Sequence, residues 1–190
     1  MRILIRRLIA FALDWIVLFL VLVLPQALIG LLWDGWPLLH VDDGWLVWGW
    51  VLLTVSVPSW MYFTLGDSSV RGATVGKRVL GLAVRDTASG GRLPRERAVL
   101  RTAIKLLPWE LTHVMIFLPE PVGETLTPFK TAMIVIVNGL MLAWLLVPLV
   151  RSEHRAIHDL AAGSVVAPGG EGVVRGRPRR RTACADRAVR

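Results

Sequence analysis

Between Leu8 and Leu32 the chain runs through apolar residues almost without a break, interrupted by Asp14 and Gln26. At about 1.5 Å of helix rise per residue, such a stretch outreaches the roughly 30 Å hydrocarbon core of a bilayer. Trp45 to Leu65 carries no formal charge, and neither does Thr131 to Val150, which follows Lys130. Each run exceeds the threshold of about 18 residues for a membrane span. Composition agrees, with 54% hydrophobic and 19% charged residues among 190, whereas a soluble domain carries about a quarter charged. The single cysteine, Cys184, excludes a disulfide scaffold, and the apolar content excludes a disordered chain.

A fourth stretch, Ala98 to Leu118, is long enough to span but contains Arg101, Lys105, Glu110 and His113, so hydropathy alone leaves a surface helix open. Loop charge resolves the choice, because positive residues stay on the cytoplasmic side during insertion. If all four segments cross, the N-terminal Arg2, Arg6 and Arg7, the seven basic residues of Gly66 to Arg97 and the nine beyond Val150 all face the cytoplasm. The outer loops, Trp33 to Gly44 and Pro119 to Pro128, then hold no Lys or Arg and five acids, Asp34, Asp42, Asp43, Glu120 and Glu124. Trp33, Trp36, Trp45, Trp48 and Trp50 gather at the same outer boundary, where indole rings prefer to sit. The N-terminal run is too long for a cleaved signal peptide and lacks a small-x-small site, so it is read as a retained anchor. The expected fold is an all-α integral membrane protein of the cell membrane, with four transmembrane helices at about 8–32, 45–65, 98–118 and 129–150 and both termini cytoplasmic.

The net charge of +8 resides mainly in the tail. From Pro168 onward seven arginines face two acids, Glu171 and Asp186. Residues 168–190 are read as a disordered, Arg-rich cytoplasmic tail that contacts anionic lipid; an RNA-binding tail would share this composition, but a membrane-adjacent arginine run favours lipid over nucleic acid. The only substantial polar stretch before it is the loop 66–97. Within it Gly72 to Lys77 is no P-loop, because three residues rather than four separate the glycines, Arg78 follows the lysine, and a membrane helix precedes it. Leu82 to Arg85 alternates ahead of a turn cluster at Asp86 to Gly91, which predicts a small cytoplasmic β-hairpin, and Ser164 to Ala167 could add a strand.

Three separated segments resemble the RDD family of small membrane proteins. Arg-Arg-Leu-Ile-Ala-Phe-Ala-Leu-Asp at 6–14 is similar to the family's opening, Gly-Ala-Thr-Val-Gly-Lys-Arg-Val-Leu-Gly-Leu-Ala-Val-Arg-Asp at 72–86 to its central loop, and His-Asp-Leu-Ala-Ala-Gly-Ser-Val-Val at 158–166 to its closing segment. They occur in the family's order and, from first to last, span most of residues 1–167. The resemblance implies that the family's arginine is Arg7, its first aspartate Asp14 and its second Asp159, with Asp86 the other candidate. It also implies cytoplasmic motif residues at Gly72, Gly76, Lys77, Gly81 and His158. The Arg101 to His113 stretch looks like a subset of the family. A transport role is implied, with sodium/proton exchange linked to some members.

Helix geometry sorts the intramembrane polar residues into two layers. Counted from Leu8 and Ala98, Asp14 lies about 9 Å deep and Lys105 about 10 Å. Asn138, counted from the outer end, falls near the level of Glu110 and His113. An unpaired charge in hydrocarbon costs at least about 3 kcal/mol, and Arg7 stands about 10 Å along the axis from Asp14. Asp14 is therefore expected to pair with Lys105 or Arg101. Glu110 and His113, three apart and just beyond Pro108, form a candidate proton-exchange site. The leading reading is a small proton- or cation-linked transporter working through Asp14, Lys105, Glu110 and His113 as a homo-oligomer. The alternative is a non-transporting scaffold whose buried charges fix helix packing and whose cytoplasmic loop binds a protein partner. His154 and His158, beside Glu153 and Asp159, have no third ligand at matching spacing, and an amphipathic helix ended by Gly163 accounts for them. No metal, cofactor or catalytic residue is assigned; an enzyme is the class with least support.

Overall fold

The computed structural model describes residues 2–35, 41, 43–118, 127–150 and 154–169. The arginine-rich part of the tail, Trp36 and most of the two acidic loops lie outside them. The first long helix comprises α1 (Arg2–Leu18), a wide π-helical turn (Phe19–Val23) and α2 (Leu24–Leu32); the second comprises α3 (Gly44–Val51), a π-helical turn (Leu52–Ser56) and α4 (Val57–Asp67). Each wide turn lies just before a proline at the start of the next segment, Pro25 and Pro58. A proline ring clashes with the carbonyl four residues earlier, and widening the helix there relieves the clash without ending it. The remaining elements are α5 (Val75–Val79), β1 (Leu82–Asp86), α6 (Arg95–Phe117), α7 (Pro128–Val150), α8 (Ile157–Ala161) and β2 (Ser164–Pro168).

Three helices are long and apolar enough to cross a membrane: Ile3–Leu32, Gly44–Asp67 and Pro128–Val150. Helix α6 matches α7 in length, 23 residues each, but carries the polar side chains of a bundle interior. It is the hub of the structure and packs on α3, α4, α7 and α8, while α1 packs on α5. In the apolar half, Leu18, Phe63 and Leu106 are buried together beneath Trp15, Trp60 and Tyr62.

A second core lies at the polar end, where Ala10 of α1 and Ala98 of α6 are buried with Leu82, Val84, Leu93 and Val166. The small sheet differs from the expected hairpin. β1 pairs antiparallel with the distant β2, Leu82 opposite Pro168 and Asp86 opposite Ser164, so the strand at Ser164 forms while the local hairpin does not. The Asp86 carboxylate accepts from the Ala88 and Ser89 N–H groups, closing a turn that returns the chain to Leu93 and α6 rather than to a neighbouring strand. Gly81 precedes β1, and its carbonyl accepts from the Gly169 N–H at 2.8 Å, beyond the end of β2.

Two glycines in the central motif are fixed by space. Gly72 has φ +64, a conformation that side chains disfavour, and its carbonyl accepts from the Val84 N–H at 2.6 Å. Gly76 lies against α1, where an added Cβ would run into the Ala10 carbonyl and stand 2.9 Å from Asp14 Oδ1. Gly76→Ala is expected to cost about 1–3 kcal/mol through this overpacking, read as a lower melting temperature of the detergent-purified protein. An unchanged melting temperature would mean that α5 does not sit on α1.

Candidate functional site

Asp14, Asp159 and Asp67 are all fully buried, each on a different stretch of chain. Asp14 points from α1 at the start of α5: its carboxylate accepts from Thr74 Oγ1 (2.6 Å), the Gly76 N–H (2.8 Å) and Tyr62 Oη (2.6 Å). Tyr62 in turn accepts from the Val75 N–H at 3.0 Å. The carboxylate and phenol thus satisfy N–H groups left without helical partners at the start of α5. This corrects the expected ion pair, since Asp14 takes hydroxyl and backbone donors instead of Lys105 or Arg101. Neutral donors already sit at its level, so the carboxylate needs no cation.

Arg101 finds its anionic partners elsewhere. It donates from Nε (3.1 Å) and Nη2 (2.7 Å) to Asp159 Oδ1, and from Nη1 to Asp67 at the end of α4. Asp67 also receives Lys77, and Asp159 receives Arg7 and the Ala156 N–H at 3.0 Å. The result is an alternating chain, Lys77–Asp67–Arg101–Asp159–Arg7, which ties α1, α4, α5, α6 and α8 together at the polar end. Burial opposes ionisation of Asp159, but Arg101 and Arg7 more than offset it and hold the carboxyl far below the usual range. Burial also drives His158 well below the ordinary imidazole value, against the attraction of Asp159 and aided by Arg101, Lys105 and Arg7. Asp86 does not join this cluster: it pairs at 2.8 Å with the exposed Arg97, and its turn, chiefly the Ser89 hydroxyl, holds it below its ordinary range.

The second layer is separate. Glu110 accepts from Ser56 Oγ (2.9 Å) and Trp60 Nε1 (3.0 Å), and His113 Nδ1 lies 3.3 Å from the same serine oxygen and 3.7 Å from Glu110 Oε2. Ser56 closes the wide turn before Pro58 and is buried. Asn138 does not belong here; it is exposed and donates to the Ile134 carbonyl one turn back at 2.8 Å. An amide can satisfy itself on its own helix, so depth alone did not require a partner.

Between α1, α6 and α7 lies a cavity of about 350 Å³. Its lining includes Arg7, Asp14, Lys77, Arg101, Lys105 and His158 from the charged layer, with Trp15, Trp109 and Trp144 on its apolar walls. Glu110 and His113 are not among the lining residues. Lys105 Nζ stands 3.3 Å from the centre of the Phe63 ring and 4.9 Å from that of Phe11, and forms no hydrogen bond or ion pair among the described residues. Rings attract a cation but do not neutralise it.

The sequence reasoning missed Asp67, Tyr62, Thr74 and Ser56. Asp67 marks the point where a charge-free run ends, and Tyr62 is the chain's single tyrosine; both signals were available. A helical protein with apolar spans and a charge-clamped polar cap is the class that fold and site define. The family model for the RDD family matches residues 3–163, and the chain belongs to that family. No curated protein and no solved structure matches it.

Removing one member of a buried charge chain leaves its partner uncompensated, which typically costs about 3–5 kcal/mol. Asp159→Asn should therefore be strongly destabilising, while Arg97→Ala at the exposed pair should cost under about 1 kcal/mol; equal effects in denaturant unfolding would contradict the assignment. The His158 shift has its own signature. Its folded pKa lies below its unfolded value of about 6.5, so the unfolded chain binds the proton more readily and stability falls as pH drops below about 6.5. Melting curves from pH 8 to 5 should show that decline, and His158→Gln should flatten it.

Proposed function

We propose that this protein is a non-enzymatic, four-span protein of the cell membrane with both termini cytoplasmic, acting as a small ion-linked transporter in an assembly of more than one copy. The fourth span is α6. Its buried residues, among them Arg101, Thr102, Leu106 and His113, turn toward neighbouring helices, which lets a helix with charged side chains cross lipid. The basic loop and the cap then lie inside, and the basic tail meets anionic lipid of the inner leaflet.

The observation supporting transport is the cavity, which brings open space to ionisable groups between helices. A bundle that served packing alone would gain nothing from leaving Lys105 beside that space without a direct ion pair among the described residues. Proton exchange is assigned to Glu110 and His113, which stand apart from the cavity and share the Ser56 hydroxyl next to a wide helical turn, a feature frequent at functional sites. The scaffold reading, in which the cap also docks a cytoplasmic partner, draws on a different observation: Asp14, Asp67 and Asp159 are each engaged by fixed donors.

Proteoliposomes separate the two readings. Under a pH gradient, with or without sodium, the native protein should dissipate the gradient and Glu110→Gln should lose at least tenfold in rate at an unchanged melting temperature. Flux equal to that of empty liposomes would leave the scaffold. Topology is read in a Cys184→Ala background, where an impermeant maleimide added outside cells should label Thr125→Cys and not Ala88→Cys. The opposite pattern would remove α6 from the membrane.

A further inference from the structure

The charges lining the cavity, together with Asp67 and Asp159 behind them, do not balance. Arg7, Lys77, Arg101 and Lys105 supply four positive charges, and Asp14, Asp67 and Asp159 three negative ones. With His158 neutral, one cation is in excess, and the geometry assigns it to Lys105, whose Nζ touches only ring faces while Asp67 and Asp14 attract it without direct contact. Three further polar atoms in lining residues, Trp109 Nε1, Trp144 Nε1 and His158 Nδ1, are buried without a hydrogen-bond partner among the described residues. Buried polar atoms are normally satisfied, so these three mark incomplete hydrogen bonding in the residues around the cavity.

The shape of the cavity narrows the ligand. Leu8, Phe11 and Met141 line it and are also exposed on the outside of the bundle, and α1 and α7 do not pack closely on each other. The opening therefore faces the acyl phase. A volume of about 350 Å³ falls in the range of small-molecule pockets, with apolar walls beyond the charged end. Lys105 lies about 10 Å along α6 from Ala98, deeper than the plane in which a phospholipid holds its phosphodiester. A single-chain amphiphile can sink to that depth.

We propose that this cavity binds a single-chain, monoanionic amphiphile of the fatty-acid type, its carboxylate on Lys105 and its chain leaving between α1 and α7. The site stands whether or not the protein moves ions, so a failure of the flux assay leaves it intact.

The test uses the full chain purified in an uncharged maltoside detergent. Myristate should raise the melting temperature in a saturable manner, tetradecanol and tetradecyltrimethylammonium should not, and acetate should have no effect because it lacks the chain. Lys105→Met should weaken myristate binding at least tenfold and Lys105→Arg should largely retain it. Should Lys105→Met fail to fold, dibromostearate supplies a readout on the native protein: it should quench tryptophan emission, and Trp144→Phe should remove part of that quenching. Equal effects of myristate and tetradecanol would overturn the proposal. So would displacement of myristate by phosphatidylglycerol at matching concentration, or quenching unaltered in Trp144→Phe.

Discussion

A guanidinium cannot shed its charge at any pH a cell reaches, and Arg101 is 2% exposed inside a helix bundle. That single constraint orders the polar end of the molecule. Two carboxylates must come to it, Asp67 from the end of α4 and Asp159 from α8. Each of these draws a second cation, Lys77 and Arg7, because their remaining oxygens are also out of water. The chain of charges thereby joins four sequence-distant stretches that also pack against one another. Such clusters yield little net stability over well-packed apolar residues, but they penalise every arrangement that leaves one ion unmatched. They act as a register for how the cap sits on the helices.

Asp14 solves a similar problem by other means. Its charge is spread over a threonine, a tyrosine and a backbone N–H at the head of α5. Hydrogen bonds from neutral donors to a carboxylate are stronger than those between neutral groups, and the close approach of Gly76 to α1 makes them reachable. Lys105 is left facing aromatic rings, so the inner layer carries two kinds of charge: carboxylates held from all sides and an ammonium held from only one.

Much of this architecture was legible in the residues. Uninterrupted apolar runs mark the long helices, the alternation from Leu82 marks a strand, and the family resemblance singles out Arg7, Asp14 and Asp159. Two kinds of information were not local. Asp14 was assigned a cation because side-chain charge is visible in a sequence, whereas a free backbone N–H at a helix start is visible only after the loop has folded. β1 was assigned a neighbour next door because alternation says that a strand exists and not which strand it meets. Asn138 failed for a third reason, since depth in a helix fixes a level and not a direction.

The sheet also has a consequence for how the protein is made. Residues 82–86 wait for residues 164–168, and between them the ribosome must synthesise both α6 and α7. Until that late segment emerges, Arg101 has Asp67 but lacks Asp159. The nascent protein therefore passes through an interval in which its long helices are complete and its cap is open, with Arg101 only half matched. Chain length between the two strands, rather than hydropathy, sets how long that interval lasts.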